Sequence, residues 1–424
     1  MADKERVKEM IIRIALGTVC SVAFIGISDG LYGLADKLEP KVPGAIAYKQ
    51  VNAPESSNEN GVVTADEWAD VYPEIVASYK QNDENNYRVD YLEQDPYIKT
   101  LYEGFGFAKD YTSAVAHTYT LEDVSSTERP HPLANCLTCK TPDYTKLVND
   151  MGVEAYKYDF EETFAQMNEN VSCYNCHENQ AGDGGKLVVT HSYVNDALGD
   201  AVDGIDPSVI ACGQCHIEYY FDTDTKATSM PYDSVAAMDP EAILSYYNEM
   251  GFSDWTQEST GTGLLKAQHP ELETFLNGSV HASSMNCADC HMALSVSEEG
   301  VTYTSHNWES PLANEAILDT CVKCHGDTDM TEKVKAIQDE VTAREREVGE
   351  KLAELKTALA DAVATGEMSE GELNDIRSLY RDAQWYWDFV YVENSEGAHN
   401  SSLAKNCLDK SEKLVDEAMG LFEA

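Results

Sequence analysis

The chain has 424 residues, and its 75 Asp and Glu against 30 Lys and Arg give a formal net charge of -45 at pH 7 with neutral histidines. This acidity excludes nucleic acid as a partner, because phosphate binding requires a basic surface. It favours solubility and a cationic docking partner, and an anionic substrate would need a local positive pocket.

Residues 1–35 have the composition of a targeting segment. Residues 11–27 are apolar apart from Arg13 and follow a short stretch of mixed charge. This pattern predicts a signal peptide or an N-terminal anchor, and with it a periplasmic or otherwise extracytoplasmic protein. No Ala-x-Ala cleavage site follows, so the sequence leaves open an uncleaved anchor and, as a third interpretation, a buried N-terminal helix.

Residues 36–330 are predicted to fold as short helices separated by long irregular loops. Helices are predicted over 64–80 and 240–250. The turn-rich residues 181–185 (AGDGG) precede KLVVT, which predicts a short strand of a hairpin at 186–190. The sequence therefore predicts a mainly α fold with little β structure.

Ten of the twelve cysteines form five Cys-x-x-Cys pairs, and only Cys20 and Cys407 fall outside them. Four pairs are followed directly by histidine, whereas the first is followed by lysine. In chain order, the motifs are Cys136/Cys139/Lys140, Cys173/Cys176/His177, Cys212/Cys215/His216, Cys287/Cys290/His291 and Cys321/Cys324/His325.

Cys-x-x-Cys-His is the attachment signature of haem c. Two thiols three residues apart each form a thioether to the porphyrin, and the next residue lies beneath the iron as an axial ligand. A disulfide framework, zinc sites and a redox Cys-x-x-Cys are the alternatives, but none of them requires a histidine after every pair. The motifs therefore predict five haem c groups within the core, numbered below in the order of their motifs.

The lysine of the first motif sets its haem apart. Seven histidines lie outside the motifs, which is enough to give four haems a second histidine and leave three. Such six-coordinate haems carry electrons and have no open position. Lysine binds iron only as the neutral amine, so Lys140 as a proximal ligand would mark a haem with a different task. The alternative is that Lys140 is a surface residue and the iron finds another ligand.

Residues 331–424 are predicted to form long helices. Gly366 ends the first helix, Ser369 with Glu372 forms a capping-box pattern for a second, and a third covers about 400–422. In the first helix, apolar residues recur in an approximate heptad at Val334, Val341, Val348 and Leu355, and at Ile337, Leu352 and Leu359. This stripe predicts either a dimer interface or an intramolecular helical bundle.

With CLTCK at 136–140 and four following Cys-x-x-Cys-His motifs, the chain resembles the ammonia-forming cytochrome c nitrite reductases over residues 68–399. The resemblance implies the multihaem cytochrome c fold and a bound calcium ion. In CGQCHIEYYF, Glu218 and Tyr219 match calcium ligands of that family, and Tyr219 also faces its substrate. In KAQHPE, Lys266 through its backbone carbonyl and Gln268 through its side chain match the remaining calcium ligands. His269 matches the active-site histidine.

The same resemblance implies the other axial and catalytic residues. In HTYTLEDVSSTER, His117 resembles the distal ligand of the third haem, and Arg129 resembles the catalytic arginine. The connection from Arg129 to Cys136 is shorter than the resemblance implies. The distal ligands of the second, fourth and fifth haems are implied to be His306, His399 and His281, respectively. This leaves His131 and His191 as surface or structural residues.

By resemblance, the protein reduces nitrite to ammonium with six electrons at the Lys140 haem, fed by four bis-histidine haems. Residues 36–330 would form this pentahaem catalytic domain, with Lys140, Arg129, Tyr219 and His269 as catalytic residues. Hydroxylamine and nitric oxide would also be reduced. A quinol-oxidising membrane multihaem cytochrome would donate electrons, and residues 331–424 would form a homodimer. The alternatives are an electron-transfer multihaem cytochrome, a hydroxylamine-converting multihaem oxidoreductase and a metal-scaffold protein.

Overall fold

The computed structural model describes residues 50–423, so the leader predicted over residues 1–35 lies outside the described range. As the sequence predicts, the chain is mainly α-helical. The helices before the C-terminal region are α1 Ala65–Trp68, α2 Pro73–Lys80, α3 Tyr91–Gln94, α4 Ile98–Leu101, α5 Thr120–Ser126, α6 Pro142–Met151, α7 Phe160–Phe164, α8 Cys173–His177, α9 Ser192–Leu198, α10 Pro207–Gly213, α11 Pro240–Met250, α12 Glu271–Leu276, α13 Cys287–His291 and α14 Glu315–His325.

Short 3-10 helices join many of these elements. They span Gln81–Glu84, Gly106–Ala108, His117–Tyr119, Ala134–Leu137, Gly152–Lys157, Glu178–Gln180, Gly199–Gly204, Val235–Ala237, His281–Ser283 and Pro311–Ala313. Within residues 50–423, no helix combines the length and the apolar character needed to cross a membrane.

The helix predicted over 64–80 is divided into α1 and α2. Thr64 and Glu67 form a capping box at the start of α1, and Pro73 occupies the first position of α2. Proline lacks the N–H that would continue a helix, and it disfavours helical backbone angles at the preceding residue. Tyr72 accordingly has φ -129° and ψ 64°. The helix predicted over 240–250 is confirmed as α11.

The strand predicted at 186–190 is wrong, because these residues belong to no helix or strand. The backbone N–H of Val188 donates to the carbonyl of Cys176 at 2.8 Å. That of Thr190 donates to the side-chain oxygen of Gln214, also at 2.8 Å. The segment therefore bonds to the second and third cysteine motifs instead of a partner strand.

The β structure of residues 50–423 consists of three two-stranded antiparallel ladders. They pair β1 Tyr220–Phe221 with β2 Thr228–Ser229, β3 Trp255–Gln257 with β4 Thr262–Leu264, and β5 Leu294–Val296 with β6 Thr302–Thr304. The register of the second ladder sets Trp255 opposite Leu264. Because β1 follows Tyr219 directly and β4 ends just before Lys266, these two ladders fix the segments that carry the predicted calcium residues.

The C-terminal region folds as three long helices, α15 Met330–Thr365, α16 Glu370–Tyr391 and α17 Ser401–Gly420. Gly366 ends α15 with a left-handed φ of 66°, and Ser369 with Glu372 forms the predicted capping box of α16. The members of the apolar stripe that are buried within this one chain are Val341, Val348, Leu352, Leu355 and Leu359. These residues therefore form an intramolecular bundle, and the homodimer stays a prediction that would use other surfaces.

This bundle shares one hydrophobic core with the rest of the chain. Trp387 on α16 donates to the carbonyl of Glu345 at 2.9 Å, and its ring meets Tyr97 edge-on at 6.1 Å. Gly349 on α15 permits this approach, since a β-carbon there would overlap the Tyr97 ring. The close packing fixes the long helices against the region that precedes them.

Candidate functional site

Each of the four motif histidines faces a second histidine from a distant part of the chain. The ring centroids are separated by 6.0 Å for His117/His216, 6.5 Å for His177/His306, 6.2 Å for His281/His325 and 6.1 Å for His291/His399. Two imidazoles that share one metal have centroids roughly 6 Å apart, because each ligating nitrogen lies about 2 Å from the metal. The four pairs therefore fit four bis-histidine haems.

For His216, the distance between rings does not decide which histidine is its partner. Its ring centroid lies 6.0 Å from that of His117 and 6.2 Å from that of His269. The assignment of His117 as the distal ligand of the third haem, with His269 left free for substrate, therefore rests on the family resemblance.

Lys140 is half-buried at the end of the first motif. Its Nζ lies 3.8 Å from Oδ2 of Asp123, which also pairs with Arg88. The Lys140 carbonyl accepts a hydrogen bond of 2.6 Å from the hydroxyl of Thr120. The backbone of the motif is thus held, and only a weak ion pair occupies the side chain, which leaves the amine available to a metal.

The Nδ1 atoms of the paired histidines have two kinds of partner. Those of His177, His291 and His306 face the backbone carbonyls of Lys186, Glu309 and Thr304 at 2.7, 3.1 and 3.0 Å. By contrast, Nδ1 of His399 lies 2.6 Å from Oε1 of Glu393, and Nδ1 of His216 lies 3.7 Å from Oε2 of Glu271. No motif or spacing in the sequence marks these two glutamates, which sequence analysis missed.

Cysteines of different motifs lie close to one another. The sulfur atoms of Cys139 and Cys215 and a ring nitrogen of His191 all lie within 4.8 Å of one another. The Sγ of Cys176 lies 3.9 Å from the carbonyl of Ala211, which immediately precedes the third motif. The third motif therefore contacts both the first and the second.

The last three motifs continue this chain of contacts. A hydrogen bond with Cys212 and burial together raise the pKa of the Cys287 thiol well above its usual range. Burial, with a contribution from Cys321, raises the pKa of Cys290 to about 11. These interactions connect the third motif to the fourth and the fourth to the fifth. All cysteines among residues 50–423 are free of disulfides, as haem attachment requires.

Cys324 differs in exposure from the other motif cysteines. It is exposed, whereas the other nine motif cysteines are partly buried. The physical reason is that α14 buries only Ile317, near its start, so its last turn with Cys324 lies at the surface. His325, the next residue, still faces His281. Haem attachment at Cys324 stays a proposal, which the pairing of His325 with His281 supports.

Arg129 and Tyr219 lie beside the first motif despite the short connection from Arg129 to Cys136. The guanidinium of Arg129 stacks on the ring of Phe107, 4.5 Å from its centroid. Burial raises the pKa of Tyr219 well above its usual range, as do Cys139 and Cys136, while the charge of Arg129 opposes the rise. A guanidinium and a phenol therefore share the surroundings of the Lys140 motif.

His269 belongs to the same surroundings. Burial lowers its pKa to about 4, and the charges of His216, Lys140 and Lys266 act in the same direction, against the effect of Glu271. Its Nδ1 is buried and has no hydrogen-bond partner within the described residues. A buried ring nitrogen without a partner is costly unless a ligand supplies one.

The predicted calcium residues converge around Glu218, which is 1% exposed. Its carboxylate accepts hydrogen bonds from the hydroxyl of Tyr247 at 2.9 Å and the backbone N–H of Gln268 at 2.6 Å. The side-chain amide of Gln268 lies 2.9 Å from the carbonyl oxygen of Lys266. Turning this amide by half a rotation sets two oxygens side by side, as a cation between them would require.

The charge around Glu218 also fits a cation. Burial raises the pKa of Glu218 well above its usual range, and Glu273 and Asp254 raise it further. One oxygen of Glu273 is buried and without a hydrogen-bond partner within the described residues. A hard, oxygen-preferring ion would compensate this buried negative charge.

The two histidines left unassigned have different surroundings. His191 is 3% exposed and interacts with the Thr138 carbonyl at 2.9 Å and the Gln214 side chain at 3.2 Å. It is therefore structural, and joins the first motif to the third. His131 is half-buried, with Nδ1 2.7 Å from the carbonyl of Arg129 and its ring against Phe160.

Comparisons with known proteins agree with this arrangement. A family model described as cytochrome c552 matches residues 64–423. The chain is also similar to a solved cytochrome c nitrite reductase, the catalytic subunit from Desulfovibrio desulfuricans, for which two calcium sites are described. The two share 25% sequence identity with a TM-score of 0.76 over 86% of this chain and 87% of that one.

Two further solved cytochromes show weaker similarity. One is the outer cell wall cytochrome OcwA, with 18% identity and a TM-score of 0.40 over 70% of this chain and 48% of that one. The other is an undecahaem cytochrome from the S-layer of Carboxydothermus ferrireducens, with 18% identity and a TM-score of 0.37 over 72% and 41%. Both scores are too low to indicate a shared overall fold.

Proposed function

The chain belongs to the cytochrome c552 family, and on that basis we propose that it reduces nitrite to ammonium as a haem c oxidoreductase. One structural observation supports the proposal independently of the family. Four of the five cysteine motifs end in a histidine that already faces a second histidine, whereas the first ends in Lys140. Four haems are thereby suited to electron transfer, and one is left for substrate.

Arg129, Tyr219 and His269 are proposed to bind and protonate the substrate. When bound, the haem of the first motif supplies electrons to nitrite at its iron. Arg129 offers planar N–H donors and a positive charge to the nitrite oxygens, which answers the need for a local positive pocket in an acidic protein. Tyr219, whose raised pKa keeps it protonated, donates a further hydrogen bond.

His269 is proposed to supply protons as the N–O bonds break. With a pKa of about 4 it is neutral near pH 7, so one ring nitrogen donates a hydrogen bond. The negative charge of bound nitrite raises the proton affinity of the ring, because an opposite charge favours the protonated form. Proton uptake by His269 is thereby coupled to substrate binding.

The contacts between cysteine motifs support a route for the electrons. The third motif contacts the first and the second, and the fourth lies between the third and the fifth. Electrons that enter at the second or the fifth haem would therefore reach the Lys140 haem through the third. His191, which contacts both the first and the third motif, would fix the last step of this route.

Calcium is proposed to bind at Glu218, Tyr219, Lys266 and Gln268, and its removal is expected to destabilise the protein. EGTA treatment of the holoprotein should lower the thermal midpoint and the nitrite turnover together. The loss of stability would be about 2.7 kcal/mol from a starting calcium concentration 100-fold above Kd.

Added Ca²⁺ should restore both quantities, whereas Mg²⁺ should not, because it requires a tighter octahedral shell. The variant Glu218→Gln should no longer respond to calcium. An EGTA-treated protein with an unchanged thermal midpoint and turnover would contradict the calcium assignment.

Nitrite-dependent reoxidation of the reduced holoprotein tests the proposed function. The haem content should be five per chain, nitrite should reoxidise the reduced haems, and ammonium should be the product. Hydroxylamine and nitric oxide should also act as oxidants. Oxidation of hydroxylamine without reduction of nitrite would favour the hydroxylamine-converting alternative, and reoxidation by neither would favour an electron-transfer cytochrome.

The cellular setting is proposed from the N-terminal sequence and the haem c motifs. The N-terminal sequence supports export, either with cleavage or as an anchored protein, and haem c attachment agrees with an extracytoplasmic location. A quinol-oxidising membrane multihaem cytochrome is proposed as electron donor, and a homodimer through the C-terminal helices as the assembly. Sedimentation of the holoprotein at two concentrations would test the assembly.

A further inference from the structure

We propose that Glu393 lowers the reduction potential of the fourth haem by acting on His399, and that Glu271 does the same more weakly for the third haem through His216. This proposal rests on the haem ligation given under the proposed function. It assigns to two glutamates a role in setting the direction of electron flow.

Glu393 is buried and contacts His399 directly. It is 5% exposed, and its Oε1 lies 2.6 Å from Nδ1 of His399. Its Oε2 accepts a hydrogen bond of 2.5 Å from Ser395, whose hydroxyl oxygen accepts 2.9 Å from the backbone N–H of His399. Both carboxylate oxygens are thereby held, and the ring orientation of His399 is fixed.

A charged partner at Nδ1 changes what the imidazole gives to the iron. When Nε2 binds the metal, Nδ1 carries the proton and donates it in a hydrogen bond. A carboxylate acceptor draws this proton more strongly than a carbonyl does, which raises the basicity of the ligand. A more basic ligand stabilises ferric over ferrous iron, so the reduction potential falls.

The other haems provide the contrast. Both histidines proposed for the second haem, His177 and His306, have backbone carbonyls at Nδ1. For the fourth haem, His291 faces a carbonyl and His399 faces the carboxylate of Glu393. The proposed axial ligands of the second and fourth haems therefore differ in that one ligand of the fourth haem has a carboxylate at Nδ1.

Glu271 brings a second carboxylate to the neighbouring haem. Its Oε2 lies 3.7 Å from Nδ1 of His216 and has no hydrogen-bond partner within the described residues. Its Oε1 accepts hydrogen bonds from the backbone and the side-chain amide of Asn394, the residue next to Glu393. The loop that follows α16 therefore positions both glutamates that are proposed to act on the third and fourth haems. The longer distance from Glu271 to His216 predicts a smaller effect of Glu271 on the reduction potential.

A redox titration of the holoprotein tests the proposal without nitrite. In Glu393→Gln, which keeps the shape but removes the charge, one of the five haem components should shift to higher potential beyond the fitting error. Glu271→Gln should shift a different component by less. Glu393→Asp, which keeps the charge but withdraws it by one methylene, should shift the potential of the same component by less than Glu393→Gln.

Glu309→Gln is the matched control, since Glu309 faces the fourth haem's His291 only through its backbone carbonyl. The reduction potential of the same haem component should shift less in this variant than in Glu393→Gln. Haem content and the low-spin spectrum show whether each variant has folded. Unshifted potentials in folded Glu393→Gln, or equal shifts in Glu393→Gln and Glu309→Gln, would overturn the proposal. Failure of nitrite turnover would contradict only the proposed function.

Discussion

Replacing His269 by Gln is expected to lower kcat for nitrite reduction by roughly 100-fold or more, the usual contribution of a positioned proton donor. The ring lies in the surroundings shared with Lys140, and its buried Nδ1 lacks a partner within the described residues. Turnover would be measured with a chemical electron donor, so that no partner protein limits the rate.

His131→Gln is the matched control for this experiment. Nδ1 of His131 contacts the backbone carbonyl of Arg129, and a glutamine amide can take over that hydrogen bond. Its turnover should stay close to that of the wild-type protein. If His269→Gln and a parallel Arg129 variant both turned over nitrite at the wild-type rate, the catalytic assignment would be wrong.

The spectrum of the same His269 variant decides which histidine serves the third haem. The rings of His117 and His269 lie at nearly equal distances from His216. If His117 is the ligand, His269→Gln should keep four low-spin haems, and His117→Gln should lose one. The reverse result would make His269 the axial ligand and remove it from the substrate site.

Replacing Asp388 by Ala is expected to destabilise the holoprotein by about 3–5 kcal/mol, because it leaves a buried charge without its partner. Lys266 is 2% exposed, and its Nζ lies 3.2 Å from Oδ1 of Asp388. The other Asp388 oxygen accepts the backbone N–H of Ala267 at 2.8 Å, which would also lose its partner. The free energy of unfolding would be measured by urea denaturation of the holoprotein.

The double variant Lys266→Met/Asp388→Leu controls for the loss of shape. Removing both charges together should recover much of the stability, since well-packed apolar residues often replace a buried ion pair at little cost. A double variant as unstable as Asp388→Ala would mean that packing, and not the unpaired ammonium, accounts for the loss.

The sequence predicted what depends on local pattern. The cysteine motifs are covalent signatures, and the long C-terminal helices follow from the heptad, Gly366 and the Ser369 capping box. The break at Pro73 was also readable, because proline restricts the residue before it. The helix predicted across it was too long for that reason.

Long-range contacts were predictable only through resemblance. His177 and His306 are 129 positions apart by their numbers, and nothing local indicates that their rings meet. The same holds for Glu393 and Glu271, whose role depends on a loop that folds back onto α12. The segment 186–190 had the composition of a strand, but its backbone N–H groups form long-range hydrogen bonds with Cys176 and Gln214 instead of with a partner strand.

The burial of the motif cysteines could likewise not be predicted from the sequence. The five motifs have the same spacing, yet Cys324 is exposed and its counterparts in the other motifs are not. How deeply a motif lies depends on what packs over its helix, and that is decided by distant parts of the chain.

The contact between Cys139 and Cys215 has a consequence for biogenesis. In the folded chain, a hydrogen bond with Cys215 and burial raise the pKa of the Cys139 thiol well above its usual range. A thiol reacts as its thiolate and must be accessible, so folding makes Cys139 a poor acceptor for a porphyrin. We therefore expect haem attachment at Cys139 to precede folding of the chain around it. Folding would then follow around haems that are already attached, and early burial of Cys139 would slow its reaction with the porphyrin.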